Sequence, residues 1–208
     1  MAKLIFYDAD HRYEVDGEEV PSVSEITRFV SREVYGDVTQ FNLDRAGDRG
    51  TRVHKALEVL DKYGIVEITE DIEPYIRAYL QFRKVHSAEW KYIEKPICAA
   101  DRSYAGTLDR YGLVDGKQTL LDFKTTKTIS PAHRQLYSAG QNLYRKALEE
   151  PVEQMLLLQL KEDGTYKLIP LEIEDALADA CLLLHSRLKK RKRKRKESSD
   201  GRNETPDS

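Results

Sequence analysis

Asp109, Asp122 and Lys124 are the residues of this chain whose types and spacing first suggest chemistry. They lie in Gly106 to Thr125, where two apolar-rich runs flank Asp115-Gly116. Asp-Gly between such runs signals a two-residue type I′ hairpin turn, because both central positions need positive φ. With that turn Val114 faces Lys117, and counting back places Asp109 directly opposite Asp122. Opposed residues share one face of a sheet at contact distance. Lys124 lies two residues beyond Asp122 and points to the same face, opposite Thr107. Two adjacent carboxylates repel, and one takes up a proton unless a cation separates them. A hard divalent ion such as Mg2+ or Mn2+ resolves the conflict, since it prefers oxygen donors. The same charges also fit an exposed strand face on which Lys124 neutralises Asp122. The hairpin alone does not choose between the two.

Positioning these residues falls to the strands and helices around them. Lys3 to Tyr7 and Arg12 to Val15 read as short strands around Asp8-Ala9-Asp10. Ser22 or Ser24 starts a helix after Pro21, with Ile26, Phe29 and Val30 on its apolar side. Val38 to Tyr63 is helical in pattern, with a break expected near Gly47 and Gly50. The second half, from Arg49-Gly50-Thr51, sets Val53, Leu57 and Leu60 at helical spacing. Asp71 to His86 is another helix, with Pro74 tolerated in its first turn. Trp90 to Cys98 is a strand, followed by the hairpin. Ser130 or Thr128 caps a helix from Pro131 to Leu148. Val152 to Leu160 is an apolar strand, paired with Tyr166 to Pro170 across Asp163-Gly164. A last helix starts near Glu172, with Ile173, Leu177, Cys181, Leu184 and Leu188 as its buried stripe. This order predicts an α/β fold, a mixed central β-sheet flanked by helices.

At 208 residues the chain can hold one such domain with a real core. The domain is expected over residues 1–188, with the N-terminal hairpin and helices in 1–88, the sheet core in 89–170 and the last helix in 171–188. Residues 189–208 are expected to be a basic and then disordered tail. Lys189 to Lys196 is an unbroken run of eight basic residues, and without it 26 basic residues face 36 acidic ones. The acidic body and basic tail fit a phosphate contact with nucleic acid, or simply a solvated helix end. No run approaches the roughly 18 apolar residues of a membrane span, and the N-terminus has no apolar signal core. A cytoplasmic protein without membrane contact is expected. Cys98 and Cys181, the only cysteines, are too few for a four-cysteine iron–sulfur or zinc site. No GxxxxGK[ST] loop is present, so no ATP site is expected.

Other candidates are individually ambiguous. His54 lies near the start of the second helical half and is either a packed histidine or a ligand. Glu94 is either an ordinary strand charge or part of a site. Gln135, Tyr137, Gln141 and Tyr144 lie on the helix after the hairpin, and Gln141 and Tyr144 share a face. Their amides and phenols suit contacts to a nucleic-acid backbone, or the polar margin of a packed helix.

Taken together, the set resembles the RecB-like nucleases of the PD-(D/E)XK phosphodiesterase superfamily, particularly the small stand-alone phage-type members. The resemblance runs from about Pro21 to Leu160. It rests on Gly50-Thr51-x-x-His54, on Gly106-Thr107-Leu108-Asp109, on Leu121-Asp122-Phe123-Lys124-Thr125, and on a Gln/Tyr helix, in that order. It implies a restriction-endonuclease-like core and a metal-dependent DNA nuclease, an exonuclease or end-processing enzyme of recombination, repair or phage DNA metabolism. His54, Asp109 and Asp122, with the Phe123 carbonyl, would bind one or two Mg2+ or Mn2+ ions. Lys124 would be the catalytic lysine, beside Asp109 and Asp122. Tyr144, Gln141, Gln135, Glu94 and Thr107 would line the substrate. The implied partners are DNA single strands or duplex ends, with the basic tail as a phosphate contact, and a recombinase or helicase. The implied setting is the cytoplasm of a bacterial or phage-infected cell. The family's helix usually reads Gln-x-x-x-Tyr, whereas here Gly140 stands four before Tyr144. The competing expectation is an inactive nucleic-acid-binding module, or an accessory subunit of a helicase or recombinase complex.

Overall fold

Two sheets carry the strands. The computed structural model describes residues 3–7, 10–36 and 38–200, with side chains described for these except 40–44 and 190–200. Strands β1 (Leu4–Tyr7), β2 (Arg12–Val15) and β3 (Glu18–Val20) make a small antiparallel sheet in that order. The expected turn at Asp8-Ala9 lies outside the described residues. β3 was not expected, because Glu18 and Glu19 are exposed and give no apolar alternation. Ser22 then caps α1 (Val23–Ile26). Its hydroxyl accepts from the Glu25 amide at 3.1 Å, and the Glu25 carboxylate accepts from the Ser22 amide at 2.9 Å. This reciprocal box satisfies two helix-end donors. On this apolar side Ile26 is buried, whereas Phe29, in α2 (Arg28–Tyr35), is 53% exposed.

The helix α3 (Gln40–Tyr63) is continuous, so the break expected near Gly47 and Gly50 is corrected. Glycine lowers helix propensity by only about 1 kcal/mol, and packing outweighs it. Val53 and Leu57 on α3 are fully buried against α4 (Glu73–Val85), whose Tyr75, Ile76, Tyr79 and Phe82 share their cluster. Pro74 sits in the first turn of α4, as expected.

The second sheet contains β4 (Ala88–Cys98), β5 (Ala105–Val114) and β6 (Lys117–Lys124). After α5 (Pro131–Ala147), capped by Ser130, it adds β7 (Gln154–Leu160) and β8 (Tyr166–Leu171). The strand order is β4-β5-β6-β7-β8. Only β6 and β7 are parallel, and α5 is their crossover. The result is a mixed sheet flanked by helices. Alternate residues of β6 and β7 bury opposite faces. Leu121, Phe123, Leu156 and Leu158 pack towards α3 and α4, while Leu120, Met155 and Leu157 pack with Tyr137 and Tyr144 of α5. Strands covered on both faces need near-continuous apolar runs, which is how Leu156 to Leu158 reads.

Asp115 and Gly116 have φ of 50° and 79°, the two positive values of a type I′ turn. Pairing runs from Val114↔Lys117 to Arg110↔Leu121, in the expected register. Asp109 and Asp122 come next in line, and there the pairing stops. β5 continues beside β4 as far as Ala105↔Cys98, and β6 continues beside β7 as far as Lys124↔Gln159. The two strands therefore part at the two aspartates.

The last helix, α6 (Ala176–Asp200), continues through the basic run. Its expected buried stripe is corrected. Ala178 and Cys181 are buried and Leu177 packs beside them, but Ile173 precedes the helix, and it, Leu184 and Leu188 are 46%, 40% and 45% exposed. Among the described residues, the first turns of α6 supply its part of the cluster with α1 and α5, and the later leucines are left exposed. Residues 201–208 of the expected tail lie outside the described residues.

Candidate metal centre

Where β5 and β6 part, side chains replace backbone pairing. The Asp109 carboxylate accepts from the Phe123 amide at 2.8 Å, satisfying a donor that the ladder leaves open. This holds Asp109 across the gap from β6. Asp122 faces the α5 side, as Leu120 does two residues earlier, and forms an ion pair with Lys124. The buried Asp122 Oδ2 is the oxygen that meets the Lys124 ammonium. The Lys124 ammonium lies 4.9 Å from the centre of the Tyr137 ring, and the Tyr137 hydroxyl is 2.7 Å from that of Tyr35 on α2.

His54 enters from α3. It sits in mid-helix rather than near a helix start, because α3 is unbroken. Its Nδ1 lies 3.5 Å from Asp109 Oδ2 and 3.7 Å from Glu94 Oε1. Phe123 meets the ring edge to face at 5.7 Å. Among the described residues, His54, Glu94 and Asp109 can each offer one ligand atom with all three atoms within 4.8 Å of one another. Glu94 belongs to β4 but has φ of 45°, a left-handed conformation uncommon for a side-chain-bearing residue. That conformation takes it out of strand alternation.

Behind the cluster lies a charge that the sequence reading did not single out. Arg110 is fully buried. Its Nε donates to Asp61 at 2.8 Å, and its Nη1 donates to Glu94 at 3.0 Å and to the Asp109 carbonyl at 2.7 Å. Asp61 also accepts from Tyr79 at 2.8 Å and Arg83 at 2.9 Å. Asp61 and Arg110 are 49 positions apart, so no local pattern couples them. The available signal was an arginine set in the apolar run Leu108 to Val114 of a central strand.

The electrostatics show opposite charges confined together. Burial raises the pKa of Asp109, and Glu94 adds to this, while His54 and Lys124 oppose it. Asp122 is pushed up to about 6, chiefly by burial and then by Asp109, against the pull of Lys124. Burial acts to lower the pKa of Lys124, but Asp122 and Asp109 outweigh it and the net shift is upward. Burial likewise acts against the His54 cation, yet Asp109 and Glu94 raise it to about 9. Without an added ion, protons and Lys124 thus balance the carboxylates. A divalent cation would do the same with harder charge. The donor set of carboxylates and one imidazole fits an ion such as Mg2+ or Mn2+.

The remaining expected residues divide. Tyr144 packs over Gly106, where a Cβ would stand 2.6 Å from its ring. Burial first, then Tyr13, Asp109, Asp122 and Glu94, holds its phenol well above the ordinary range. Tyr144 therefore stands beside the carboxylates. Gln141 is buried, with its Oε1 unpartnered among the described residues. Gln135 is exposed and, nine residues from Tyr144, points from the other side of α5. Thr107 does not face Lys124. The strands have parted there, and its hydroxyl pairs with that of Tyr13 at 2.9 Å.

No protein-family model matches the chain, and no curated protein matches it by sequence. Solved structures that are similar include an alkaline exonuclease, LHK-Exo, from Laribacter hongkongensis. It is 15% identical over 85% of this chain and 91% of that one, with a TM-score of 0.40. The same enzyme in complex with dAMP is 14% identical over 86% and 94%, with a TM-score of 0.42. Both scores are low, and the functional reading rests on the site. No described helix is long and apolar enough to cross a membrane.

Proposed function

We propose that this chain is a divalent-metal-dependent deoxyribonuclease, an exonuclease or end-processing enzyme of the RecB-like, PD-(D/E)XK kind. The observation that carries the reading is the parting of β5 and β6 at Asp109 and Asp122, with Lys124 and His54 beside them. Two buried carboxylates in one gap cost stability, and a binding module without catalysis has no use for them.

His54, Asp109 and Asp122 would hold Mg2+ or Mn2+ with the Phe123 carbonyl; the ligand atoms of His54, Asp109 and Glu94 lie close enough together to support a shared ion that includes Glu94. Such an ion, when bound, polarises a phosphoryl oxygen and lowers the pKa of a water. The protein supplies the rest. Lys124, held as a cation beside Asp122 and Asp109, suits orienting the attacking water or stabilising phosphoryl charge. Tyr144 keeps its phenolic proton and offers a donor beside the carboxylates. The imidazole of His54 biases the centre towards Mn2+ over Mg2+. The basic segment of α6 would meet DNA phosphates. Residues 1–188 would form the nuclease domain, acting in the cytoplasm on single strands or duplex ends, with a recombinase or helicase as a further partner.

The test compares wild type, Asp122→Ala and Lys124→Ala on end-labelled linear and circular DNA, with Mg2+, with Mn2+ and with chelator. Wild-type degradation from ends that needs metal and vanishes in both variants is expected. Equal activity in all three proteins, or none in any, would overturn the reading.

A further inference from the structure

We infer that Arg110 is a positioning residue for the metal centre: with Asp61 behind it, it holds the Glu94 carboxylate where it can share a cation with His54 and Asp109. The inference rests on reading that cluster as a metal centre. A fully buried guanidinium needs a reason, since burying an unpaired charge is among the costliest substitutions a core can carry. Here the reason lies on either side of it. Arg110 Nη1 donates at 3.0 Å to Glu94 Oε1, the oxygen that also lies nearest His54 Nδ1. The same nitrogen donates at 2.7 Å to the Asp109 carbonyl, so one fork ties together two prospective ligand residues on neighbouring strands. Its face lies 4.9 Å from the centre of the Phe123 ring, which in turn packs on His54.

A lone cation beside a ligand carboxylate would repel the ion that the carboxylate serves. Arg110 avoids this because Asp61, itself almost fully buried, neutralises it at 2.8 Å. With the charges of the pair cancelled, orientation remains. Glu94 sits at a φ of 45°, where strand geometry alone does not aim its side chain, and the guanidinium supplies the aim. Hydrogen-bond partners behind metal ligands typically change metal affinity by about 10–100-fold.

The experiment measures Mn2+ affinity by titration calorimetry and by the electron paramagnetic resonance signal of free Mn2+, on the full chain without DNA. Folding is checked by circular dichroism and by the emission of Trp90, whose indole donates to Tyr79 in the same network. Arg110→Met should bind Mn2+ about 10–100-fold more weakly while remaining folded, because Asp61 keeps Tyr79 and Arg83 as donors. Asp61→Asn, which preserves shape, leaves Arg110 positive beside Glu94 and should also weaken binding. It decides the matter if Arg110→Met does not fold. In a Glu94→Gln background, Arg110→Met should change affinity by less than about twofold, since the effect acts through Glu94. Folded Arg110→Met or Asp61→Asn with wild-type affinity would overturn the role of Arg110 alone. A wild-type chain that binds no Mn2+ would instead overturn the metal-centre reading beneath it.

Discussion

The Asp109 carboxylate, rather than any carbonyl of β5, accepts the amide hydrogen of Phe123, at 2.8 Å. That one contact lets two antiparallel strands separate without leaving a buried donor unpaired. It also fixes a carboxylate at the mouth of the gap.

The substitution Asp109→Asn separates these two duties. An asparagine oxygen can still accept from Phe123, so the fold should survive with a melting temperature close to wild type. The lost negative charge should reduce nuclease activity by roughly 10²–10³-fold. Asp109→Ala should lose both, and a thermal melt alongside the activity assay tells the two apart.

Lys124→Met should reduce turnover by roughly 10²–10³-fold while leaving cation binding intact or tighter. The ammonium competes with a bound cation for Asp122, so its removal frees that carboxylate. Mn2+ titration and single-turnover cleavage of the same preparation measure the two effects. A parallel loss of both would place Lys124 in the fold rather than in the chemistry.

Burial acts against the His54 cation, but Asp109 and Glu94 outweigh it and raise the His54 pKa from its ordinary 6.5 to about 9 when no cation is bound. A raised folded pKa contributes stability that is complete below about 6.5 and lost as pH rises through about 9. Asp122, raised to about 6, acts in the same direction at lower pH: its contribution is complete below about 3.8 and lost as pH rises through about 6. The difference in melting temperature between wild type and His54→Gln should therefore shrink from pH 6 to pH 10. Metal binding requires a neutral imidazole, so Mn2+ affinity should rise over the same interval. His54 carbon-bound proton shifts in NMR follow the titration directly.

Gly106→Ala places a methyl 2.6 Å from the Tyr144 ring and 3.0 Å from Val23. Overpacking of this kind destabilises by about 1–3 kcal/mol. Urea denaturation should show that loss, and Gly106→Ala with Tyr144→Leu should recover part of it. Cleavage should fall in Gly106→Ala even where the protein is folded, because the phenol moves away from the carboxylates.

Much of the site was legible in the chain because its information is local. An Asp-Gly turn sets the register of the hairpin from Val114↔Lys117 to Arg110↔Leu121, which leaves Asp109 and Asp122 next in line on their strands. Apolar periodicity set the helices and the parallel strand Leu156 to Leu158, and capping chemistry set the starts at Ser22 and Ser130. Where local rules gave the wrong answer, packing had the larger energy. Burial of Val53 and Leu57 carried α3 through two glycines, while Leu184 and Leu188, without a covering element among the described residues, stay exposed. Tertiary structure alone decided that the strands part just past Arg110, that Thr107 turns to Tyr13 instead of Lys124, and that Glu94 joins His54. It alone brought Asp61 to Arg110. Such contacts join residues tens of positions apart, and no period in the chain encodes them. They form only when sheet and helices close around charges that water has left.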